Sequence, residues 1–404
     1  SSFLGHHPRA SASRSWRQHI TRLWPTVGHK MAGGLPWTSR LLAQSPMTST
    51  RFDIIIIGAG IAGLTSALAL QESGASVAVL DRGRPGGEAS WAGGGILCPL
   101  YAWRYPDPVL TIAAEGMRRY PDLIAALDSP IDPQRQVTGM RILDPLAADE
   151  TTESITATLS SVGIRHQWES RDDKPTLWLP EVANVRNPYL LDALVDTVQA
   201  RGIRLLDRQA GESLLLRDDR VAGVRTAAGE LTAERVVVAA GAWSESLIPG
   251  LRVGSLFPVR GQMLRLEPRT ATGLEHILME GGVYLIPRRD NSVVIGSTME
   301  HAGFDKTVDT AAQAKLHATA CRLWPALAGA RVTHRWAGLR PASIDELPVL
   351  GEHPDINGLW VNSAGFRNGL VMAPATASLL ADLMAGRPTS LDPEPYRVGR
   401  LLGC

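Results

Sequence analysis

The sequence predicts an α/β fold in which a parallel β-sheet is interleaved along the chain with a second, mainly antiparallel sheet domain. Three observations support this prediction. Near its start the chain alternates an apolar run, a glycine-rich turn, a helical segment and another apolar run within about thirty residues. Short apolar runs that end near glycine recur late in the chain, and two β-type runs joined by a turn lie between them. The 404 residues suffice for two or three packing units, at roughly 150 residues per domain.

The composition is that of a soluble globular protein, with 44% hydrophobic and 20% charged residues. Because 41 basic side chains are balanced by 40 acidic ones, we expect no nucleic acid partner. Cys98, Cys321 and Cys404 form no C-x-x-C pair, which argues against a disulfide framework or a zinc ribbon and favours a reducing, cytoplasmic location. The longest apolar stretch, residues 53–70, is interrupted by glycines, so we expect no membrane span.

The first fifty residues differ from the rest, since residues 1–51 contain arginine, lysine and many serines but no acidic residue. That pattern is typical of an organellar transit peptide. The alternative, which we favour, is a disordered or artefactual extension covering residues 1–46. Met47 precedes the first predicted strand, and the segment has no sustained amphipathic period.

The parallel sheet is predicted from four apolar runs. Residues 52–57 form the first strand, a helical segment ends at Ser73, and residues 77–80 form the second strand. Residues 236–240 and 359–361 have the same character and are predicted as later strands of this sheet. Residues 283–287 and 292–296 read as a hairpin of the other domain, whereas the polar segment 171–175 is the most loop-like stretch of the body. We predict a nucleotide-binding domain from residues 47–130, 184–257 and 339–400, and a substrate domain from residues 131–183 and 258–338.

A G-A-G-I-A-G motif at residues 58–63 follows the first strand and opens the helix. Gly58 permits the tight turn, Gly60 lets the backbone approach a pyrophosphate, and Gly63 lets the helix pack closely on the strand. Asp81 follows the second strand about twenty residues on, where an acid accepts from a ribose hydroxyl. The pattern therefore predicts a dinucleotide site; the alternative is a glycine-rich turn in an unrelated α/β sheet.

The segment after this acid bears on which dinucleotide is bound. Residues 86–97 read G-G-E-A-S-W-A-G-G-G-I-L, a run of small residues that lets main-chain groups approach a flat ring system. The alternative is a mobile glycine linker, but a linker seldom carries a tryptophan. The segment therefore favours FAD over NAD.

Seven motifs in order resemble the D-amino acid oxidase superfamily of FAD enzymes and, within it, the glycine oxidases of thiamine biosynthesis. The resemblance runs from about residue 52 to residue 384. Besides the two motifs above, it rests on V-V-V-A-A-G-A-W-S from Val236, P-V-R-G-Q from Pro258, V-Y-L-I-P-R from Val283, W-A-G-L-R-P from Trp336 and G-F-R-N-G-L-V-M-A-P-A-T from Gly365.

The resemblance implies non-covalent FAD. Ile61 and Ala62 would lie on the pyrophosphate, Asp81 and Arg82 on the adenosine ribose, and the backbone of Glu212 on adenine. Cys321, the candidate for covalent attachment, lies away from the flavin motifs. The other implied cofactor residues are Gly58, Gly60, Gly63, Ala89, Ser90, Gly94, Gly95, Ile96, Gly241, Gly365, Phe366, Arg367, Asn368, Gly369, Leu370 and Val371.

Four residues are implied at the substrate. Arg340 would clamp the carboxylate, because a guanidinium fork can grip both oxygens; the alternative is a surface arginine. Tyr284 would add a phenolic hydrogen bond or else serve only in cross-strand packing. Arg367 would contact substrate or cap the helix that contains Pro374, which is tolerable in a first turn. Met299 matches a pocket-lining position, although its residue type alone suggests core.

The implied activity converts glycine, dioxygen and water to glyoxylate, ammonia and hydrogen peroxide by way of an imine, and this imine can feed the thiazole of thiamine. The alternatives are a sarcosine or D-amino acid oxidase, a dehydrogenase that passes electrons to a quinone or protein, and a non-catalytic dinucleotide-binding module. A homotetramer and a functional link to thiazole synthase are also implied, and the histidine spacing predicts no metal site. Relatives often have histidine at the positions of Gly282 and Gly365 in this chain. These two differences are expected to affect the substrate preference and to leave cofactor binding intact.

Overall fold

The computed structural model describes residues 51–403, and the predicted extension 1–46 lies outside the described residues. Seven α-helices occur in this range: α1 (Ile61–Gln71), α2 (Ala89–Ala92), α3 (Asp107–Ala125), α4 (Thr152–Ser161), α5 (Asn187–Ala200), α6 (Thr310–Leu323) and α7 (Gly369–Met384). The strands of the same range are β1 (Arg51–Ile57), β2 (Val77–Leu80), β3 (Gln136–Val137), β4 (Met140–Leu143), β5 (Gln167–Arg171), β6 (Lys174–Leu179), β7 (Ala183–Asn184), β8 (Arg204–Leu206), β9 (Ser213–Arg217), β10 (Arg220–Thr226), β11 (Gly229–Val238), β12 (Leu256–Glu267), β13 (Ile277–Glu280), β14 (Val283–Pro287), β15 (Val293–Gly296), β16 (Arg331–Ser343), β17 (Val349–Glu352) and β18 (Leu359–Ser363).

The first sheet has a parallel core. Its strands lie in the order β17, β18, β11, β1, β2, β8. Strand β1 pairs in parallel with β2 and β11, and β11 pairs in parallel with β18. The late strands therefore join the early ones, as the sequence predicts. Strand β17 and the hairpin of β9 and β10 extend this sheet with antiparallel pairs, because short loops join neighbouring strands most easily in that direction.

Strand β1 shows why this sheet is buried on both faces. Ile54 and Ile56 pack into one apolar cluster with residues of α1, α3, α5 and α7. Ile55 and Ile57 point to the opposite face and join a second cluster. A continuous apolar run rather than an alternating one is the expected pattern for such a strand. Packing on both faces fixes the position of β1 and of the turn that follows it.

The second sheet follows the order β16, β12, β15, β14, β13, β4, β6, β5, and its pairs are antiparallel except for β13 with β4. Its two faces carry separate apolar clusters, one of which includes residues of α6. The predicted hairpin is present as β14 and β15, and the second strand begins at Val293. The α/β fold with a parallel sheet and a mainly antiparallel sheet is thereby confirmed. None of the helices between residues 51 and 403 has the length and apolar character needed to cross a membrane.

The segment 171–175 is not the loop that its polarity suggests. Arg171 ends β5, Lys174 begins β6, and only Asp172 and Asp173 lie between them. Both aspartates have positive φ angles, 52° and 60°, which match a two-residue hairpin turn. Because aspartate tolerates the left-handed region better than most residues, a polar pair that reads as a loop in fact closes a strand pair.

Helix α7 accommodates Pro374 differently from the prediction. The helix begins at Gly369, so Pro374 lies beyond the first turn, where its missing N–H leaves the carbonyl of Leu370 without a helical donor. The hydroxyl of Tyr120 in α3 donates to that carbonyl at 2.7 Å. Tyr120 is buried, and burial raises its pKa. A neighbouring helix thus supplies the hydrogen bond that proline removes.

Replacing Tyr120 with phenylalanine is expected to lower the free energy of unfolding by about 1–3 kcal/mol, because the Leu370 carbonyl then stays buried without a partner. Urea denaturation measures this change. Tyr189→Phe is the matched control, since that half-buried ring contacts Arg186 through its face. Equal denaturation midpoints for wild type and Tyr120→Phe would contradict the role given to this hydroxyl.

Candidate functional site

A cavity of about 390 Å³ lies at the carboxyl edge of the parallel sheet and extends to the second sheet. Ligands of open α/β folds bind outside the carboxyl ends of the strands. The end of β1, the residues after β2, the start of α1 and the start of α7 line one part of the cavity. Tyr284 of β14, Met263 of β12 and Arg340 of β16 line the other. The two sheets therefore contribute different chemistry to one site.

The glycine motif brings backbone segments into direct contact. Gly58 has a φ of +111°, and a Cβ atom there would lie 2.3 Å from the carbonyl oxygen of Ala239. A Cβ atom on Gly63 would lie 1.8 Å from the carbonyl oxygen of Gly58. Helix α1 therefore starts close against the end of β1. Its first N–H, on Ile61, donates to Ser90 Oγ at 2.9 Å, so its amino end faces the cavity beside the segment that contains α2.

Asp81 is fixed by the backbone at the end of β2. One carboxylate oxygen accepts from the N–H of Ala59 and the other from the N–H of Gly83, each at 2.8 Å. Burial raises the pKa of Asp81, and the two backbone hydrogen bonds oppose that rise. Each oxygen retains a lone pair, so the carboxylate can accept from the ribose hydroxyls.

The arginine next to Asp81 closes the same end of the cavity. The guanidinium carbon of Arg82 lies 3.4 Å from the centre of the Trp243 ring, and its Nη2 pairs with Glu88 at 3.2 Å. Cation and ring attract each other in this arrangement. Trp243 belongs to the V-V-V-A-A-G-A-W-S motif, whose sequence gives it no role, and only the fold shows that it stacks on Arg82.

Most of the implied cofactor residues line the cavity. They are Gly58, Gly60, Ile61, Ala62, Asp81, Arg82, Ala89, Ser90, Gly94, Glu212, Gly241, Gly365, Phe366, Arg367, Gly369 and Leu370. Five others lie outside its lining: Gly63, Gly95, Ile96, Asn368 and Val371.

Three of the residues outside the lining pack against the segments that line the cavity. Gly63 is in the close packing of α1 on β1 described above. Gly95 has no room for a side chain, because a Cβ atom there would lie 2.0 Å from the carbonyl oxygen of Val185. Ile96 forms a bridge with Asn184. Gly63 and Gly95 therefore contribute close backbone packing, and Ile96 packs against an apolar cluster of the second sheet.

Glu212 lines the cavity, but its N–H already donates to the carbonyl oxygen of Arg225 at 2.8 Å. If the backbone of this residue meets adenine, it does so through its own carbonyl group. The neighbouring Gly211 also lines the cavity, so the contact that the resemblance assigns to Glu212 is shared with the position before it.

The residues present fit FAD. Asn187 lines the cavity and is almost fully buried, and its Nδ2 donates to the carbonyl oxygen of Ser90 at 2.7 Å. Its Oδ1 is buried and has no hydrogen-bond partner within residues 51–403. A buried acceptor without a partner is rare in proteins, and a bound ligand with donors satisfies it. Together with the amino end of α1 and Asp81, this gives groups for the phosphates, the ribose and a polar ring.

Arg340 and Arg367 bring positive charge to the other end of the cavity. The Nη2 of Arg340 donates to Ser297 Oγ at 2.7 Å and its Nη1 to the Thr298 carbonyl at 3.1 Å. Burial lowers the pKa of Arg340, Tyr284 opposes this, and Arg367 adds to the lowering. Neither arginine pairs with a carboxylate in the described part of the chain. Two adjacent cations without an acid favour an anionic ligand.

Tyr284 packs against the same arginine-containing wall. It is 6% exposed, and its hydroxyl lies 3.9 Å from Met263 Sδ, which is a weak acceptor. Gly94 and Gly296 leave room for the ring, because a Cβ atom on either would approach within about 3.0 Å of it. The hydroxyl therefore stays available for a stronger acceptor beside Arg340.

Met299 is the implied site residue that the structure does not bring to the cavity. Its side chain is 60% exposed, and it is absent from the lining residues. The side chains on either side of it, those of Thr298 and Glu300, both bond to Gln262. Because extended backbone sends successive side chains to opposite faces, Met299 points to solvent. The pocket role implied for it is therefore corrected to a surface position.

Fold and cavity together define an FAD-dependent oxidoreductase, in which a nucleotide site on a parallel sheet adjoins a cationic pocket on an antiparallel one. The family model for FAD dependent oxidoreductases matches residues 53–383. The chain belongs to this family.

Curated and solved relatives agree with this assignment. A glycine oxidase from Pseudomonas aeruginosa is 41% identical over 364 residues, which cover 86% of this chain and 99% of that protein. A bifunctional protein ThiO/ThiG from Trichormus variabilis is 32% identical, and the match covers 82% of this chain and 52% of the relative. The crystal structure of glycine oxidase from Geobacillus kaustophilus has a TM-score of 0.79 at 27% identity and covers 87% of this chain and 100% of its own.

Proposed function

We propose that this enzyme oxidises glycine to its imine, with FAD as cofactor and dioxygen as the electron acceptor that becomes hydrogen peroxide, and that water hydrolyses the imine to glyoxylate and ammonia. The observation that carries the proposal is the guanidinium of Arg340, which lines the cavity without a carboxylate partner within residues 51–403. An amino-acid carboxylate supplies the missing anion, and the guanidinium has donors left for it. The P. aeruginosa relative, a glycine oxidase, supports this choice of substrate.

In this proposal the chain binds and orients the substrate. Arg340 holds the carboxylate, the Tyr284 hydroxyl donates to the same group, and Arg367 adds positive charge beside them. Bound FAD supplies the redox chemistry by accepting a hydride from the substrate Cα and passing electrons to dioxygen. We propose that residues 47–130, 184–257 and 339–400 form the cofactor domain and residues 131–183 and 258–338 the substrate domain. Strand β16 crosses this boundary, because it runs from Arg331 to Ser343 and belongs to the second sheet over its whole length.

Close packing holds the guanidinium of Arg340 in place. A Cβ atom on Gly261 would lie 2.4 Å from the guanidinium nitrogens, and one on Gly338 would lie 2.4 Å from the Cβ atom of Ala92. Neighbouring positions thus have no space for larger side chains. Sarcosine and small D-amino acids are the next candidates, and transfer of electrons to a quinone or protein is the alternative to oxidation by dioxygen.

An anaerobic titration tests the proposed function. The visible flavin spectrum of the purified holoenzyme is recorded while glycine, sarcosine or a D-amino acid is added, and air is then admitted. Glycine should bleach the flavin, and air should restore the colour with release of peroxide. Bleaching that air does not reverse would indicate a dehydrogenase. A flavin that no small amino acid reduces would refute the proposed reaction.

We further propose that the enzyme is cytoplasmic and that its imine product feeds the thiazole of thiamine through a link to thiazole synthase. The resemblance to glycine oxidases of thiamine biosynthesis supports the link, and the T. variabilis relative is a bifunctional protein ThiO/ThiG. Cys98 and Cys321 are free thiols, in keeping with a reducing compartment. The homotetramer stays a prediction, which light scattering on the purified protein tests.

A further inference from the structure

Arg288 connects the second sheet to the backbone of the glycine-rich segment after α2. It follows β14 directly, and its side chain leaves the hairpin. Its Nη2 donates to the carbonyl oxygen of Gly94 at 2.6 Å. Its Nη1 donates to the Val185 carbonyl at 2.9 Å and to Asn184 Oδ1 at 2.8 Å. One guanidinium therefore joins three segments that are far apart in the sequence.

Burying the positive charge of Arg288 is electrostatically unfavourable. Burial and, to a smaller extent, the charge of Arg186 together lower its pKa to about 10, although the charge of Asp290 opposes the lowering. The acceptors that its side chain bonds are neutral oxygens rather than a carboxylate. Hydrogen bonds from a charged donor are stronger than those between neutral groups. The arrangement thus favours firm orientation of the three acceptors over stability.

The Gly94 peptide needs such a restraint, because glycine lies on both sides of it. Gly94 lines the cavity beside Tyr284, and Gly95 has a φ of +81°. Glycine accepts both signs of φ at little cost, so this peptide plane can turn over more easily than others. The carbonyl of Gly94 is the atom that Arg288 holds.

The orientation of that carbonyl decides where the next N–H points. In a planar trans peptide the C=O and N–H bonds point in opposite directions, so the N–H of Gly95 points away from Arg288. Gly95 itself lies outside the cavity lining, but its N–H belongs to the peptide that begins at Gly94, which lines the cavity. That N–H has no hydrogen-bond partner among the residues that the structure describes. A free N–H beside a flavin site can donate to the ring, whereas a turned peptide would present a carbonyl oxygen there.

We infer that Arg288 is a positioning residue, which fixes the Gly94 carbonyl so that the N–H of Gly95 is presented to the flavin. The inference rests on the proposed placement of the flavin beside Gly94. With the peptide fixed, a donor lies where reduction adds negative charge. Without Arg288, the peptide turns over part of the time, and reduction of the flavin becomes less favourable.

The test compares the holoenzymes of Arg288→Met, Arg288→Lys and the control Arg289→Met. Arg289 is the neighbouring arginine, but it is 45% exposed and pairs with Asp132. Arg288→Met should release FAD about tenfold more readily and lower kcat about tenfold, with KM for glycine changed less than about twofold. Its midpoint potential should become more negative, and its visible band should lose fine structure. Arg288→Lys should recover most of these properties, and Arg289→Met should match wild type.

Several results would overturn the inference. One is an Arg288→Met enzyme with the wild-type spectrum and potential but a lower melting temperature, which would indicate a purely structural contact. Another is an Arg288→Lys enzyme that folds yet behaves like Arg288→Met. If the methionine variant does not fold, Arg288→Gln replaces it, and it should show smaller changes in the same direction. Spectrum, potential and FAD release are measurable even if glycine does not reduce the wild type, so a failure of the proposed function is distinguishable.

Discussion

Replacing Arg340 with alanine is expected to lower kcat/KM for glycine by about 10²- to 10⁴-fold, because two charged hydrogen bonds to the carboxylate are lost. The rate should rise linearly with glycine concentration, without saturation. FAD should stay bound, since most of the implied cofactor residues belong to the first sheet and to the segments that follow its strands. Steady-state kinetics and the flavin spectrum of the purified variant measure both effects.

Thermal unfolding separates this loss from a loss of folding. Burial lowers the pKa of Arg340, so its charge costs stability in the protein without substrate. We therefore expect Arg340→Ala to melt at the wild-type temperature or above, as is common when a buried charged binding residue is removed.

Arg335→Ala provides the matched control for the clamp. Arg335 lies on the same strand, β16, but it is exposed and does not line the cavity. Its loss should leave kcat/KM unchanged. Arg340→Lys should fall between alanine and wild type, because lysine keeps the charge and loses the fork. Normal turnover by Arg340→Ala would place the substrate elsewhere in the cavity.

The parts of the site that the sequence predicts are those with short-range causes. The turn between β1 and α1 needs glycine at Gly58, and a continuous apolar run is enough to indicate β1. Asp81 is predictable from its distance to that turn. In each case the signal lies within about thirty residues of the same chain segment.

The contacts that the sequence does not predict are made between residues that are distant along the chain. From the sequence, Arg288 is indicated only as a residue of the hairpin turn. The fold places the carbonyls of Gly94 and Val185 beside its guanidinium. From the sequence, Tyr120 is indicated only as an aromatic residue of a helix. The fold places the Leu370 carbonyl of α7 beside its hydroxyl, which donates a hydrogen bond to it. No local pattern marks either one, because the partner is 194 residues away in the first case and 250 in the second.

The pocket position implied for Met299 differs from the structure for another reason. Met299 lies shortly after β15, which ends at Gly296, and the direction of its side chain depends on local backbone geometry. The hydrogen bonds of Thr298 and Glu300 to Gln262 fix that direction outward. A motif transfers position more reliably than orientation, since a one-residue change in register reverses the face of a strand.

Replacing Gly63 with alanine is expected to lower the free energy of unfolding by about 3 kcal/mol or more and to abolish FAD retention. The new Cβ atom would lie 1.8 Å from the carbonyl oxygen of Gly58, which is a backbone atom. A flexible side chain could move aside, but this carbonyl belongs to the turn that holds the amino end of α1 against the cavity. Helix α1 must therefore shift away from β1. Urea denaturation and the FAD content of the purified protein measure the two effects.

Gly329→Ala shows what the same substitution does where space is available. No heavy atom outside its immediate surroundings lies within 4 Å of a Cβ atom at Gly329, and its φ is not positive, so alanine should be neutral or slightly stabilising there. The comparison separates the collision from the general effect of replacing glycine. If Gly63→Ala kept its FAD and unfolded at the same urea concentration as Gly329→Ala, α1 would not pack as closely on the turn as the structure has it. The close approach of backbone to pyrophosphate, on which the cofactor site depends, would then need another explanation.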